Sequence, residues 1–343
     1  MNITIKDVAK KANVSITTVS RVFNGNNGVS PKTRKLVLKV IKELGYSPSA
    51  MASGLKTNLS KCIGVAIPDA LGDFYGEIID GIESVAAERG YNVIISLNHR
   101  IIKEELAAVN FFKAKKVDGA ILVTTSGDDE YIHSLIRGGY NIVLLDRDPH
   151  GLEVDTVKID NFGGGYMATE YLLNLGHSSI LIIQGIPSID SSKERFNGYK
   201  RALKSKGIQI KTQFILSGNF TVDSGYSSMK KYLDNYGLDF SAVFAMNDQM
   251  AIGAIKALRD KGISIPEEVS IVGFDNSYIS PYIIPPLTTI KQRREEMGKV
   301  AAELLLERIF FSHKKGKTPR QVIIPVELIK RESAISFSSR GKG

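Results

Sequence analysis

A chain of 343 residues is too long for one small domain, and 43% apolar with 24% charged side chains is an ordinary globular composition. No apolar run approaches the roughly eighteen residues of a membrane span, the first residues lack a signal-peptide apolar stretch, and a single cysteine, Cys62, excludes an intrachain disulfide or a cysteine-built metal site. The expectation is a cytoplasmic protein, and its net charge of +9 is unevenly spread: residues 1–60 hold ten Lys and Arg against two acids, Asp7 and Glu43.

Charge confined to a short segment is the footprint of a nucleic-acid module, provided the segment folds. Here the pattern predicts three helices. Thr4 with Asp7 three residues on reads as a capping box, and Ile5, Val8, Ala9 and Ala12 share one face. After a turn at Asn13-Val14, Ser15 caps a second helix from Ile16 to about Asn24, with Val19, Val22 and Phe23 on its buried side. Ser30-Pro31 starts a third, which buries Val37, Ile41 and Leu44 and stops at Gly45. The pattern suits an all-α helix-turn-helix head, 1–46, whose second helix enters the major groove, or else a generic three-helix bundle with a solvated face. Ile16, Thr17 and Arg21 lie on its outward side: Arg21 suits guanine or a phosphate, Thr17 donates or accepts, and Ile16 suits a thymine methyl. Residues 47–60 form a tether, extended before Pro48 and weakly helical over 49–56.

The runs Ile5-Lys6-Asp7-Val8-Ala9, Thr18-Val19-Ser20-Arg21-Val22-Phe23-Asn24 and Ser49-Ala50-Met51-Ala52-Ser53-Gly54-Leu55 resemble the head of the lactose/galactose-repressor family, and the likeness extends to about residue 335. The resemblance implies a repressor. It adds Thr4, Ser15, Asn24 and Ala52 to the DNA-contacting set. It makes the tether a hinge helix ordered in the minor groove, with Leu55 as an apolar wedge and Lys56 at the backbone.

Beyond Lys61 the pattern alternates. Strands are predicted at 62–68, 91–97, 118–123 and 141–146, with helices at 73–89, 103–115 and 129–137 between them. A second set follows: strands at 179–184, 214–216, 242–246 and 269–274, helices at 163–175, 192–206, 222–235 and 249–261. Such alternation means parallel sheets with crossover helices, and two sets mean an α/β core, 61–338, of two parallel-sheet subdomains facing each other across a cleft. The resemblance likens this core to periplasmic sugar-binding proteins. It places crossings near 160, 290 and 322, giving subdomains 61–160 with 291–322 and 161–290 with 323–338. Residues 339–343 read as a disordered tail.

Strand-end positions matching the family's cleft are Asp69, Phe74, Tyr75, Asp146, Arg147, Arg195, Phe220, Asn247 and Asp275. The chemistry is coherent: a guanidinium fork, short acceptors for vicinal hydroxyls, and rings to stack on a sugar face. Each also has a plainer role: Arg195 paired with Glu194 or Asp190, Asp275 capping a turn. Asp248 is expected to cap the helix that follows it. His177 fits a helix terminus. Gly163-Gly164-Gly165 lacks the spacing of a nucleotide loop, the five histidines are scattered, and no nucleophile elbow occurs. No enzyme activity, metal or cofactor is expected. A transport-linked solute-binding protein would share the core but not the basic head. The resemblance implies a sugar or sugar derivative as effector, with a purine-type corepressor or a phosphorylated carrier protein as alternatives. It also fits a homodimer on a pseudo-palindromic operator, since one head reads only a few bases.

Overall fold

The computed structural model describes residues 3–23, 27–46, 59–69, 74–123, 129–311 and 318–339. It separates into two compact units, Met1–Lys61 and Cys62–Gly343.

The first unit holds α1 (Ile5–Lys11), α2 (Ile16–Phe23) and α3 (Pro31–Leu44). Asp7 accepts from the Thr4 amide at 2.8 Å and from its hydroxyl at 2.7 Å, closing the first turn. Ser15 Oγ accepts from Thr18 N, and Ser30 Oγ from Thr33 N. Gly45 ends α3 with a left-handed φ of 61°, a conformation glycine adopts without strain. Val8, Val19, Val22, Val37 and Val40 form the core. Phe23 departs from the expected pattern: it is exposed at the end of α2, and the valines fill the centre without it. The tether 47–58 and Asn24 lie outside the described residues.

In chain order the second unit runs β1 (Cys62–Ile67), α4 (Phe74–Glu88), β2 (Asn92–Leu97), α5 (Ile102–Ala114), β3 (Gly119–Val123), α6 (Asp129–Arg137), β4 (Ile142–Leu145) and β5 (Asp155–Ile159). Then come α7 (Asn161–Asn174), β6 (Ile180–Gln184), α8 (Asp190–Ser205), β7 (Ile215–Ser217), α9 (Val222–Tyr236), β8 (Ala242–Ala245), α10 (Asp248–Asp260) and β9 (Ser270–Asp275). The last elements are β10 (Thr288–Lys291), α11 (Arg294–Phe311), β11 (Gln321–Ile324) and β12 (Glu327–Ile329). Two six-stranded sheets result, ordered β11-β5-β4-β3-β1-β2 and β12-β10-β9-β8-β6-β7. Only β12 pairs antiparallel among the described ladders. The chain passes between halves at Asp160, between β10 and α11, and between β11 and β12. The third passage falls after Ile324, close to the expected 322, since Gln321–Ile324 pairs in parallel with β5 along its whole length. At the C-terminus Ser339 closes a one-turn 3₁₀ helix, Phe337–Ser339, rather than opening the tail.

Three helix pairs repeat one device. In α4/α11, α7/α8 and α9/α10 a glycine on each helix meets the partner's backbone. A Cβ on Gly81 would lie 2.1 Å from Glu295 O, on Gly198 2.2 Å from Phe162 O, and on Gly253 2.1 Å from Val222 O. Backbones this close leave no room for a methyl. Gly253→Ala is expected to cost about 1–3 kcal/mol by overpacking, read as a lower denaturant midpoint with unchanged slope. A loss within about 0.5 kcal/mol, typical of a surface change, would mean that the pair parts freely.

Candidate functional site

On the head, α2 buries Val19 and Val22 and turns Ile16 (45% exposed), Thr17 and Arg21 to solvent. Ser15 and Thr4, by contrast, use their side chains in capping. The predicted contacts Asn24, Ala52, Leu55 and Lys56 lie outside the described residues. Basic side chains flank α2: Lys6 and Lys10 on α1, and Lys32, Lys35, Lys39 and Lys42 on α3, are exposed. Lys11 instead pairs with Glu43 at 3.0 Å, and Arg34 donates to Val22 O at 3.3 Å, bracing the helices.

In the core, a cavity of about 390 Å³ opens between the two sheets, a size suited to a small ligand. Eight of the nine predicted cleft residues line it; Arg147 does not. It follows Asp146 at the end of β4 but is buried away from the cavity. Helix starts gather here. Phe74 and Tyr75 open α4, Ser191 and Arg195 sit in the first turns of α8, Thr221 caps α9, Asn247 caps α10, and Arg294 opens α11. Their positive ends favour electronegative atoms, whether carboxylates or ligand oxygens.

Arg195 is the hub of the second half. It is 4% exposed, its guanidinium lies 3.8 Å above the Phe274 ring, Nε donates to Asn161 Oδ1 at 2.8 Å, and Nη1 donates to Met246 O at 2.6 Å. Nη1 also stands 3.7 Å from Asp275 Oδ1. Neither plainer partner holds it: Glu194 takes Lys158 at 2.8 Å, and Asp190 takes Lys193 and His150. Asp275 accepts from Gln292 Nε2 at 2.6 Å, and burial pushes its carboxyl up to about 7 against the pull of Arg195. Asp146, which accepts from Asn161 Nδ2 at 3.3 Å, is likewise raised by burial.

Asn247 is engaged at both ends, its Oδ1 accepting from Met250 N and its Nδ2 donating to Phe220 O. It, not Asp248, caps α10. Asp248 points the other way, fully buried, and accepts from Ser277 N, Ser280 Oγ and Thr289 Oγ1 at 2.5–2.7 Å, so it ties the 277–280 loop to β10. Phe220 takes a left-handed φ of 70°, and its ring fills the place where a Cβ on Gly185 would sit. Phe74 and Tyr75 meet edge to face at 4.9 Å. His177 sits at the terminus of α7, its N donating to Leu172 O at 3.1 Å, and is buried, with Nδ1 against Ser241 Oγ and Nε2 against Ile335 O, both at 3.0 Å. It thus holds the last segment to the second sheet.

Of the twelve lining residues that the sequence did not name, three carry basic side chains. His99 and Arg100 follow β2 in consecutive left-handed conformations, φ 47° and 59°, and Arg100 reaches Asp69 at 2.6 Å. Arg294 forks onto Glu77 at 2.7 Å.

Among the described residues no group of His, Cys, Asp and Glu could hold a metal, and no helix is long and apolar enough to cross a membrane. Residues 4–49 match the family described as bacterial regulatory proteins, lacI family, and residues 169–334 match the periplasmic binding protein-like domain. The chain is 36% identical to the HTH-type transcriptional repressor PurR of Pasteurella multocida, over 97% of this chain and 99% of that protein. Among solved structures it resembles a lac repressor dimer bound to operator and the anti-inducer ONPF, with a TM-score of 0.87, 29% identity and coverage of 98% and 100%. It also resembles a complex of the transcriptional regulator CelR with cellobiose, with a TM-score of 0.74, 33% identity and coverage of 96% and 99%. The chain belongs to the lacI family of bacterial regulatory proteins: it is a ligand-modulated, DNA-binding transcription regulator and not an enzyme.

Proposed function

We propose that the chain works in the cytoplasm as a homodimeric repressor on a pseudo-palindromic operator, and that its effector is an uncharged polyhydroxyl compound of the sugar class, held between the two halves of the core by Asp146, Arg195 and Asp275 with Phe220, Phe74 and Tyr75 around the ring. The observation that carries this reading is the charge balance of the cavity. Its three guanidiniums, Arg100, Arg195 and Arg294, each already face a carboxylate: Asp69, Asp275 and Glu77. A phosphate or carboxylate ligand would have to displace one of these acids. Hydroxyl groups need not, since they donate to the carboxylates and accept from the guanidiniums. Phe74 and Tyr75 meet edge to face and form no parallel slot between themselves. The relative solved with cellobiose lends the sugar class weight by likeness. A thermal-shift series on the full chain with neutral mono- and disaccharides, the same sugars as phosphates, and purines tests it. Stabilisation by neutral sugars alone is expected; stabilisation by the phosphates or purines alone sinks it.

The homodimer is supported by an apolar cluster on the loop after β9, where Tyr278, Tyr282 and Ile284 are 73%, 64% and 72% exposed. Light scattering is expected to give twice the chain mass; a monomer that still holds operator tightly would contradict the proposal.

For the head, Arg21→Ala is expected to weaken operator binding by about 1–3 kcal/mol if the guanidinium grips a base, with the loss concentrated on matched sites. A uniform loss across sequences assigns Arg21 to phosphate. No loss on either removes it from the interface.

A further inference from the structure

Two groups of polar contacts join the halves of the core among the described residues. The first is dense and surrounds the starts of α7 and α8: Asn161 meets Asp146, Lys158 meets Glu194 at 2.8 Å, and His150 meets Asp190 at 3.1 Å. The second is narrow and lies where β10 leads into α11: Gln292 donates to Asp275 at 2.6 Å, and Arg294 reaches Asn276. We infer that Arg294 is a positioning residue that sets the opening of the cleft, forked firmly onto the first half and hydrogen-bonded to the second at Asn276 O.

Its firm side is a fork. Nε donates to Glu77 Oε2 at 3.1 Å and Nη2 to Glu77 Oε1 at 2.7 Å, the paired geometry that arginine forms with a carboxylate and lysine does not. Glu77 belongs to α4, and α4 is locked to α11 where Gly81 and Gly298 bring the two backbones together. Arg294 and Glu77 therefore move with the first half as one body. The guanidinium also stands 5.5 Å from the Phe74 ring centroid, so it supports a side chain that lines the cleft.

Towards the second half its Nη2 donates to Asn276 O over a longer 3.2 Å. Asn276 is held from behind by Arg331, which donates to its Oδ1 at 2.6 Å. Asp275 and Asn276 both carry left-handed backbones, φ 118° and 53°, which non-glycine residues keep only when their surroundings enforce it. A group that draws on Asp275 acts on the same short segment that Arg294 holds. Loss of this bond loosens the second half at this edge of the cleft while the first stays intact, and occupancy of the cleft is thereby passed to α4 and α11. That consequence rests on the effector reading above; the positioning of the halves does not.

The test needs no effector. In the full chain with Cys62→Ser, spin labels are placed at Glu88 and Lys204, one on each half, and in a second set at Glu88 and Lys115, both on the first half. Labelled chain is diluted with unlabelled chain, and distances are read by pulsed electron resonance. Arg294→Lys and Glu77→Gln are each expected to shift or broaden the cross-half distance by several ångströms and to leave the within-half distance unchanged. Arg293→Lys, an exposed neighbour, is expected to change neither. Cross-half distances that stay as in the parent for both Arg294→Lys and Glu77→Gln overturn the inference. So does a change in both distances together, which would make the pair a brace of the first half only. Because no ligand is added, a failed sugar screen leaves this result standing, and the reverse.

Discussion

Asp275→Ala is expected to lower effector affinity by more than about a hundredfold while leaving effector-free operator binding intact. The carboxylate ends β9 beside Arg195, 8% exposed, with only Gln292 donating to it closely among the described contacts. Hydroxyl hydrogen bonds to a charged acceptor contribute roughly 1.5–3 kcal/mol each, so the loss of two exceeds the roughly 2.7 kcal/mol that a hundredfold represents. The same residue gives the binding a pH dependence. Burial lifts its carboxyl to about 7, and a protonated acid accepts fewer hydroxyl protons than a carboxylate. Binding to the ionised form is then linked to proton release. Affinity of the parent chain should rise about tenfold from pH 6 to pH 8, and that rise should vanish in Asp275→Ala. The direction of the operator response, release or grip, reports which state the effector prefers. Calorimetric titration at both pH values with the sugar found in the screen decides it. A variant with parental affinity and parental pH slope would remove Asp275 from the ligand.

Much of this architecture is legible in the sequence because burial there is apolar. Strands such as β3, with the sequence Gly-Ala-Ile-Leu-Val, and β4, with Ile-Val-Leu-Leu, bury every residue and read as continuous hydrophobic runs. β5 is invisible by the same rule. Its five residues are all buried, yet Asp155 and Lys158 are charged. Asp155 is tolerated because Arg308 reaches it from α11 and Arg320 from just before β11, and Lys158 because Asp148 and Glu194 do. Those partners are 36 to 165 residues away in three of the four pairs, a distance that no window of hydropathy spans. The passages between halves at β10, β11 and β12 are hidden likewise, since these strands are three or four residues long and lie partly at sheet edges. In the cleft, residues at strand and helix ends came from the family resemblance, whereas Arg100 and Arg294 needed coordinates. Arg100 is aimed by two left-handed residues and Arg294 by a glycine crossing, and neither leaves a local pattern in the sequence.

Arg195→Met should destabilise the core by about 3–5 kcal/mol, and by more at pH 8.5 than at pH 6. The side chain is buried and its charge is compensated by Asp275, Asp146 and Glu194 against the burial that lowers its pKa. Methionine keeps much of the volume over Phe274 but abandons Asn161 Oδ1 and Met246 O, and it leaves Asp275 a buried acid without its main counter-charge. The pH term has a definite sign. Asp275 is raised in the folded chain, so its contribution is fully present below its unfolded pKa near 4 and is lost as pH rises towards about 7. Above 7 the parent loses nothing further from this group. Removing Arg195 removes the strongest influence that holds the carboxyl down, so its folded pKa climbs beyond 7 and the variant keeps losing stability, by up to about 1.4 kcal/mol per pH unit, where the parent does not. Denaturant titrations of both chains at pH 6 and pH 8.5 read the difference. If the gap between them is the same at both values, Asp275 is not the acid that Arg195 serves, and the guanidinium acts only through its hydrogen bonds to Asn161 and Met246.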